Sequence, residues 1–498
     1  MRKYIYLMMT ILAIALFSSC DEWLDLEPSD KVDDSKLYGT YEGFRNSLNG
    51  IYTSISEGEL YGREMTWGLL SVLGQDYLSG SSGTSSTYQY AQQYNYTRST
   101  IKTIISKMWS KSYNAIANCN KLIQEIDDKD PGFFPEGDME KNLILGEALA
   151  LRGFLHFDMV RLFAPAPESG DNGEYVPYYA TFPSYSEPRL RTSEILEKII
   201  IDLERAKDLV IQWDTTNYRI MSSVSGRFTR MSTPESGNFF ASRGNRLNFV
   251  AINGMLARVC LYAGQLDKAK KYALYVYENF GPEGKNKWSS SAWFKFTATS
   301  NIGSSTASSN YIKLFDDVIF SLYDDLLLSH ISTYKGSSVY MRLNMNIFDF
   351  GAYDDTDDAR AKLIVKDNGN KEVCQKWLDT GAATSINIKC QYRMLPNLRM
   401  SEIYYILSEC YYAEGNTVEA ERLLNYVRNS RGAKRQVSGT TPAQFKTELM
   451  WEARKEFMTE GQTFFVYKRL NENIKIGSQV IPMKDNFVFP LPDNETIF

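Results

Sequence analysis

LARVCLYAGQLDKAKKYALYV, residues 256–276, and LSECYYAEGNTVEAERLLNYV, residues 407–427, carry one pattern at identical offsets. Leu256-Ala257, Cys260, Gly264, Ala269, Ala273 and Val276 of the first answer to Leu407-Ser408, Tyr411, Gly415, Ala420, Leu424 and Val427 of the second. Apolar and small residues three or four apart mark one face of a helix. A glycine between two such runs ends the first helix, because it accepts the left-handed conformation that closes a helix C-terminus. Each segment therefore reads as two helical runs with a break at its glycine. The two lie far apart in the chain, so other structure is inserted between them and a continuous solenoid is not expected.

Both units resemble tetratricopeptide repeats, which implies that each folds as two antiparallel helices whose small residues let them approach closely. Leu143–Phe163, apolar on most sides and closed by Pro165 and Pro167, reads as one helix of a third pair. Its partner runs from 192 to 210, with Ile195, Ile199, Leu203, Ala206 and Leu209 inward, Thr192 or Ser193 as cap and Glu194 in the first turn. A Tyr/Pro-rich insertion at 165–190 separates the two. Upstream, Trp109, Tyr113, Ile116, Cys119 (or Asn120) and Ile123 form one stripe of a helix from Met108 to Ile126. Thr441-Pro442 opens a terminal helix. Phe445, Leu449, Ala453 and Phe457 line its inner face and Gly461 stops it. Between 311 and 400 the pattern is mixed, and Val318-Ile319-Phe320 and Ser385-Ile386-Asn387-Ile388 suggest short strands. Ser79–Thr87 and Ser300–Asn310 are too polar to bury a core and read as surface loops. The fold class is mainly α, with irregular loops and a few short β-strands.

At the other end, Arg2 and Lys3 precede an apolar run from Tyr4 to Phe17, shorter than the ~20 residues a membrane-spanning helix needs. It reads as a signal peptide over residues 1–19. Leu16-Phe17-Ser18-Ser19-Cys20 resembles the cleavage site of bacterial lipoproteins, which implies that Cys20 becomes the lipidated first residue; a free cysteine after an ordinary signal peptide is the alternative. Asp21-Glu22, Asp25 and Glu27 resemble surface-export signals of Gram-negative lipoproteins. Residues 20–35 then form a linker, and 36–498 a helical domain with an inserted loop-rich ligand-binding region at approximately 281–400.

The net charge of −5, and the lack of any long basic run, argue against nucleic acid as a partner. Cys119, Cys260 and Cys410 sit within apolar helical patterns as core thiols. Cys374 and Cys390 flank Gly381 and form a candidate disulfide in an oxidising envelope. With His156 and His330 as the only imidazoles, no metal or cofactor is expected.

Glu452-Ala453-Arg454-Lys455-Glu456-Phe457-Met458-Thr459-Glu460-Gly461-Gln462-Thr463-Phe464 resembles the carboxy-terminal signature of the SusD/RagB family, departing from it at Gln462 and Thr463. Glu147-Ala148-Leu149-Ala150-Leu151-Arg152-Gly153-Phe154 with Phe163 and Pro167, Asp202-Leu203-Glu204-Arg205-Ala206 and Phe489-Pro490-Leu491-Pro492 follow in the family's order. The resemblance implies a single scaffold of tetratricopeptide-like pairs in a lipid-anchored protein at the outer-membrane surface. It further implies that the scaffold caps a SusC-like TonB-dependent transporter and receives a glycan or, in some members, a peptide. Arg454, Glu456 and Glu460 are read as intrahelical pairs, each exposed pair contributing roughly 0.2 to 0.5 kcal/mol.

Sugars offer hydroxyl groups at their edges and C–H faces above and below, so an aromatic face with polar neighbours suits them. Among 33 Tyr and 8 Trp, those beside the Ser-rich stretches are the candidates: Trp67, Tyr77, Tyr88, Tyr90 and Tyr94, then Trp288, Trp293 and Tyr334. Asn95, Gln92, Asp76 and Arg63 are candidate polar partners. Each aromatic has a plainer reading as loop packing. Asp354-Asp355-Thr356-Asp357-Asp358 reads as a solvated acidic turn, since it lacks the glycine and terminal glutamate of a calcium loop. Asp316, Asp317, Asp324 and Asp325 are the carboxylates a glycosidase would need, but no nucleophile motif accompanies them. A non-enzymatic glycan-binding protein is the leading expectation, with a peptide-binding lid, a surface hydrolase and a structural interaction protein as alternatives.

Overall fold

The computed structural model describes residues 34–78, 86–229, 237–289, 291–306, 309–335, 341–348, 357–366, 372–378, 386–476 and 478–495. Cys20 with the leader and most of the linker, Ser79–Ser85, Asp354–Thr356 and Ser385 lie outside the described residues. No helix among the described residues is long and apolar enough to cross a membrane.

Helix α1 (Tyr41–Ile55) starts where the Thr40 hydroxyl accepts the Gly43 amide at 3.1 Å. It buries Phe44, Leu48, Ile51 and Ile55, each contributing about 1.5 to 3 kcal/mol on leaving water. Helix α2 (Ser99–Asp127) buries Trp109, Ile116, Cys119 and Ile123, the stripe read from sequence. Helix α3 (Asp138–Phe163) is buried along nearly its whole length. Helix α4 (Thr192–Thr216) runs antiparallel beside it: Gly146 lies against Leu209 and Val210, and Gly153 against Ile199 and Leu203. Its cap is Arg191, one residue before the two expected, with the Glu194 carboxylate accepting the Arg191 amide at 3.3 Å. Between α3 and α4, β1 (Glu174–Pro177) and β2 (Arg189–Arg191) pair antiparallel.

The two repeated segments form the expected hairpins. Helices α5 (Phe249–Tyr262) and α6 (Leu266–Phe280) turn at Gly264, φ +73°. Helices α7 (Met400–Ala413) and α8 (Thr417–Ser430) turn at Gly415, φ +82°. The α6 and α7 helices pack on each other, which joins the pairs across the insertion. Within it, β3 (Val318–Tyr323) bears out the strand read there and pairs antiparallel with β6 (Met394–Arg399). A short hairpin, β4 (Ile364–Lys366) and β5 (Glu372–Cys374), lies between them. Ile386–Lys389 is one helical turn and no strand; Ile388 packs on Ile312 and Tyr392, for which one turn suffices. Cys374 and Cys390 are both thiols and are not joined to each other, so the suggested bridge is absent. Buried Cys374 takes a hydrogen bond from the Thr459 hydroxyl at 3.2 Å, while Cys390 stands half-buried elsewhere.

Helix α9 (Pro442–Glu456) is capped by Thr441 as expected but ends five residues before Gly461, and α10 (Gln462–Arg469) follows. The charges at this end are not exposed intrahelical pairs. Glu452 accepts from Arg360 at 2.7 Å, and Glu456 from Arg360 and Arg431 at 3.0 Å each. Glu460 meets Lys376 at 2.8 Å and Arg399 at 3.0 Å. Arg454 donates to the Gln75 carbonyl at 2.8 Å. All of these charged side chains are buried. Asp358, read as part of a solvated turn, is buried too and holds Arg360 at 2.6 Å. Removing one partner from such a network leaves an unpaired interior charge and costs about 3 to 5 kcal/mol, an order of magnitude above an exposed pair.

Candidate functional site

The aromatic residues singled out from sequence mostly serve packing. Trp67, Tyr77, Tyr88 and Trp293 are all at most 3% exposed. The Trp67 indole N–H donates to the Gly62 carbonyl at 2.7 Å, and the Tyr77 hydroxyl to the Trp67 carbonyl at 2.8 Å. Tyr88 donates to the buried Glu64 carboxylate at 2.9 Å. Burial pushes the Glu64 carboxyl up, while Arg63 and Tyr88 pull it down. Gln92 is buried and donates to the Tyr77 carbonyl at 2.6 Å. Asp76, also buried, accepts the Thr459 amide at 2.9 Å. Tyr94 is half-buried and donates to the Leu73 carbonyl at 2.8 Å. Tyr90, half-buried, lies 4.2 Å from the Arg98 guanidinium, and Asn95 accepts from the Thr97 hydroxyl at 2.7 Å. Trp288 stacks on Phe280 with centroids 5.4 Å apart and rings 4° from parallel, and Trp293 closes the cluster beneath. Tyr334 lies on the helix Leu327–Lys335, but its side chain is outside the described residues. Among the described side chains these aromatics assemble no two-sided grip on a ligand; Trp288, Tyr90 and Asn95 are only half-buried.

The four paired aspartates do not share one site. Asp317 is buried against Arg431, Asp325 meets Arg393 at 3.3 Å, and Asp324 lies 3.3 Å from His330. Burial raises the Asp316 carboxyl. Among the described residues no cluster of three or more His, Cys, Asp or Glu is placed to hold a metal ion.

A cleft with a cavity volume of about 900 Å³ opens elsewhere. That is near the upper end of small-molecule pockets, which span about 300 to 1,000 Å³. One wall is the face of α1 opposite its core stripe, where Arg45, Asn46, Asn49, Tyr52, Thr53 and Ser56 recur every three or four residues. The facing wall is the irregular stretch from Asn238 to Arg246, and Tyr323 at the end of β3 with Lys389 and Arg393 completes the rim. Phe239 lies between two guanidinium groups, 5.3 Å from Arg45 and 5.2 Å from Arg246. Behind them, buried Glu140 accepts from Arg45 Nε at 2.6 Å, and buried Glu147 accepts from the Tyr52 hydroxyl at 2.8 Å. Arg246 also donates to Asn49 across the cleft. Ser242 holds a left-handed conformation, φ +53°, at the turn that sets this wall. A residue kept there against steric preference is the kind of strain that collects at functional sites. The side-chain oxygen of Asn245, a lining residue, is buried with no donor among the described residues. Tyr323 is 36% exposed at the rim. Such a surface can hold a polyhydroxylated ring by stacking and by amide and guanidinium hydrogen bonds. Sequence reasoning missed it, although the polar stripe of α1 was there to be read at helical spacing.

Residues 22–225 match a SusD-like family model described as "Starch-binding associating with outer membrane", and residues 275–486 match the model of the SusD family. SusD-like protein P2 of Formosa agariphila is 25% identical over 210 residues, 42% of this chain and 38% of that relative. This chain therefore matches well under half the length of that protein. Among solved structures, a SusD-like carbohydrate binding protein from Bacteroides vulgatus superposes with a TM-score of 0.66 at 18% identity, covering 92% of this chain and 96% of that one. A SusD superfamily protein from Bacteroides fragilis gives 0.67 at 19% identity, covering 93% and 98%. These likenesses agree with the mainly helical fold.

Proposed function

The chain belongs to the SusD/RagB family, and from that premise we propose that it binds a nutrient glycan at the cell surface and passes it unchanged to a SusC-like TonB-dependent transporter. In this reading Cys20 carries the lipid that holds the protein on the outer membrane. The observation that carries the proposal is the cleft beside α1, which combines an exposed tyrosine, four asparagines and cationic donors. Hydrogen-bond donors fixed by packing behind them can meet sugar hydroxyl groups without large ordering costs. The family description, starch-binding and associated with the outer membrane, supports both the ligand class and the compartment.

Isothermal calorimetry of the purified protein against oligosaccharides and peptides of matched length tests the ligand class. Glycan binding with no cleavage products, weakened about tenfold or more by Tyr323→Ala, is the expected result; one stacking contact of about 1.4 kcal/mol gives that factor. Peptide binding without glycan binding, or release of shortened sugars, refutes it. Co-purification of a barrel transporter with the Cys20-bearing protein, lost on Cys20→Ala, tests the partner and the anchor.

A further inference from the structure

We infer that the cleft is built for an acidic glycan, one bearing carboxylate or sulfate groups; this rests on the glycan-binding reading above. The chain as a whole carries more acidic than basic residues, 60 against 55. The cleft reverses that balance: Arg45, Arg246, Lys389 and Arg393 line it, and Glu42 is the one carboxylate among its described lining residues. The four cations come from three separate parts of the chain, so no single helix face explains their convergence.

Arg246 pairs internally with Glu147 at 3.4 Å, while the disposition of the other three favours a ligand charge over internal pairing alone. Arg45 engages Glu140 through Nε, and among the described residues its two Nη groups meet no acceptor. Its guanidinium is steadied by the rings of Tyr41 at 4.9 Å and Phe240 at 5.0 Å. Arg393 reaches Asp325 and the Tyr323 hydroxyl through one nitrogen, Nη1, at 3.3 Å each, and 47% of its side chain is exposed. Lys389 is exposed and has no ion pair among the described residues. A guanidinium presents parallel N–H donors that match a carboxylate or sulfate in a way a sugar hydroxyl does not. A concave wall concentrates the field of such charges on whatever enters it.

The test compares three tetrasaccharides by calorimetry on the whole protein: tetragalacturonate, a sulfated galactan tetrasaccharide and neutral galactotetraose. One or both acidic arms are expected to bind at least tenfold more tightly than the neutral arm, and to weaken as salt rises. The stronger of the two identifies the anion. A Lys389→Gln/Arg393→Gln variant with an unchanged melting temperature should lose about tenfold or more on that arm, in keeping with charge-assisted hydrogen bonds. A Lys434→Gln control, remote from the cleft, should not. Equal or tighter binding of galactotetraose, or acidic binding indifferent to the double variant, overturns the inference and leaves the glycan reading standing. Failure of every glycan arm, with peptides bound instead, overturns both.

Discussion

His156 is held in a single tautomer by its neighbours. Its Nδ1–H donates to the Arg152 carbonyl at 2.9 Å, and Nε2 accepts the Tyr179 amide at 3.0 Å. A second proton would displace that amide, and burial beside the Arg152 charge pushes the imidazole down to about 3. The unfolded chain takes up a proton near pH 6.5 that the folded chain refuses, so stability is lost as pH falls from 6.5 toward 3. Asp76 works in the opposite sense: burial raises it to about 6, so its contribution declines as pH rises from 3.8 to 6. Comparing variants cancels the aspartate. His156→Gln can keep a donor and an acceptor but does not titrate, so it should gain on the parent by about 2 kcal/mol between pH 6.5 and 5, at about 1.4 kcal/mol per unit. Urea midpoints measured across that range decide it; parallel curves would show that the folded state accepts the proton. Trp67 shows the limit of reading one residue at a time. Its ring sits 6.5 Å from that of Trp377, more than three hundred positions on, a contact no local window of sequence contains.

Helices were legible because their evidence is local: spacing, caps and glycines lie within one stretch of chain. The same locality explains the misread charges of α9. Spacing says which residues share a helix face, but not that Arg360, Arg399 and Arg431 arrive from outside it to bury Glu456 and Glu460. Two glycines distinguish intrinsic helix cost from packing. Gly50, exposed in α1, has nothing within 4 Å of the place a Cβ would take, so Gly50→Ala should stabilise by about 0.5 to 1 kcal/mol. At Gly146 a Cβ would lie 2.6 Å from Val210 Cγ1 and 3.0 Å from Leu209 Cβ. Forcing α3 and α4 apart there costs typically about 1 to 3 kcal/mol, so Gly146→Ala should lower the urea midpoint even though alanine favours helix. If both substitutions moved the midpoint upward, the close α3–α4 contact would be wrong.

At the scale of the whole molecule, the cleft joins α1, the 238–246 stretch and the 389–393 turn, segments that no window of sequence brings together. Helical pairs supply the frame, and β3 and β6, paired from Val318 to Arg399, carry Tyr323 and the neighbouring Arg393 to the rim. The described residues between Trp67 and Tyr94, by contrast, are tied into the interior by Glu64, Gln75 and Gln92. Hydrogen exchange separates these two regions directly. A bound glycan at about one hundred times its Kd stabilises the native state by about 2.7 kcal/mol, which slows amides that open only by global unfolding throughout the chain. Amides that open locally respond only where the ligand touches. Fast-exchanging amides of 238–246 and 389–393 should therefore slow on glycan addition, while those of 86–98 keep their rates. Protection confined to 86–98 and 286–293 instead would return the ligand to the aromatic segments first singled out, and would leave the cationic cleft without it.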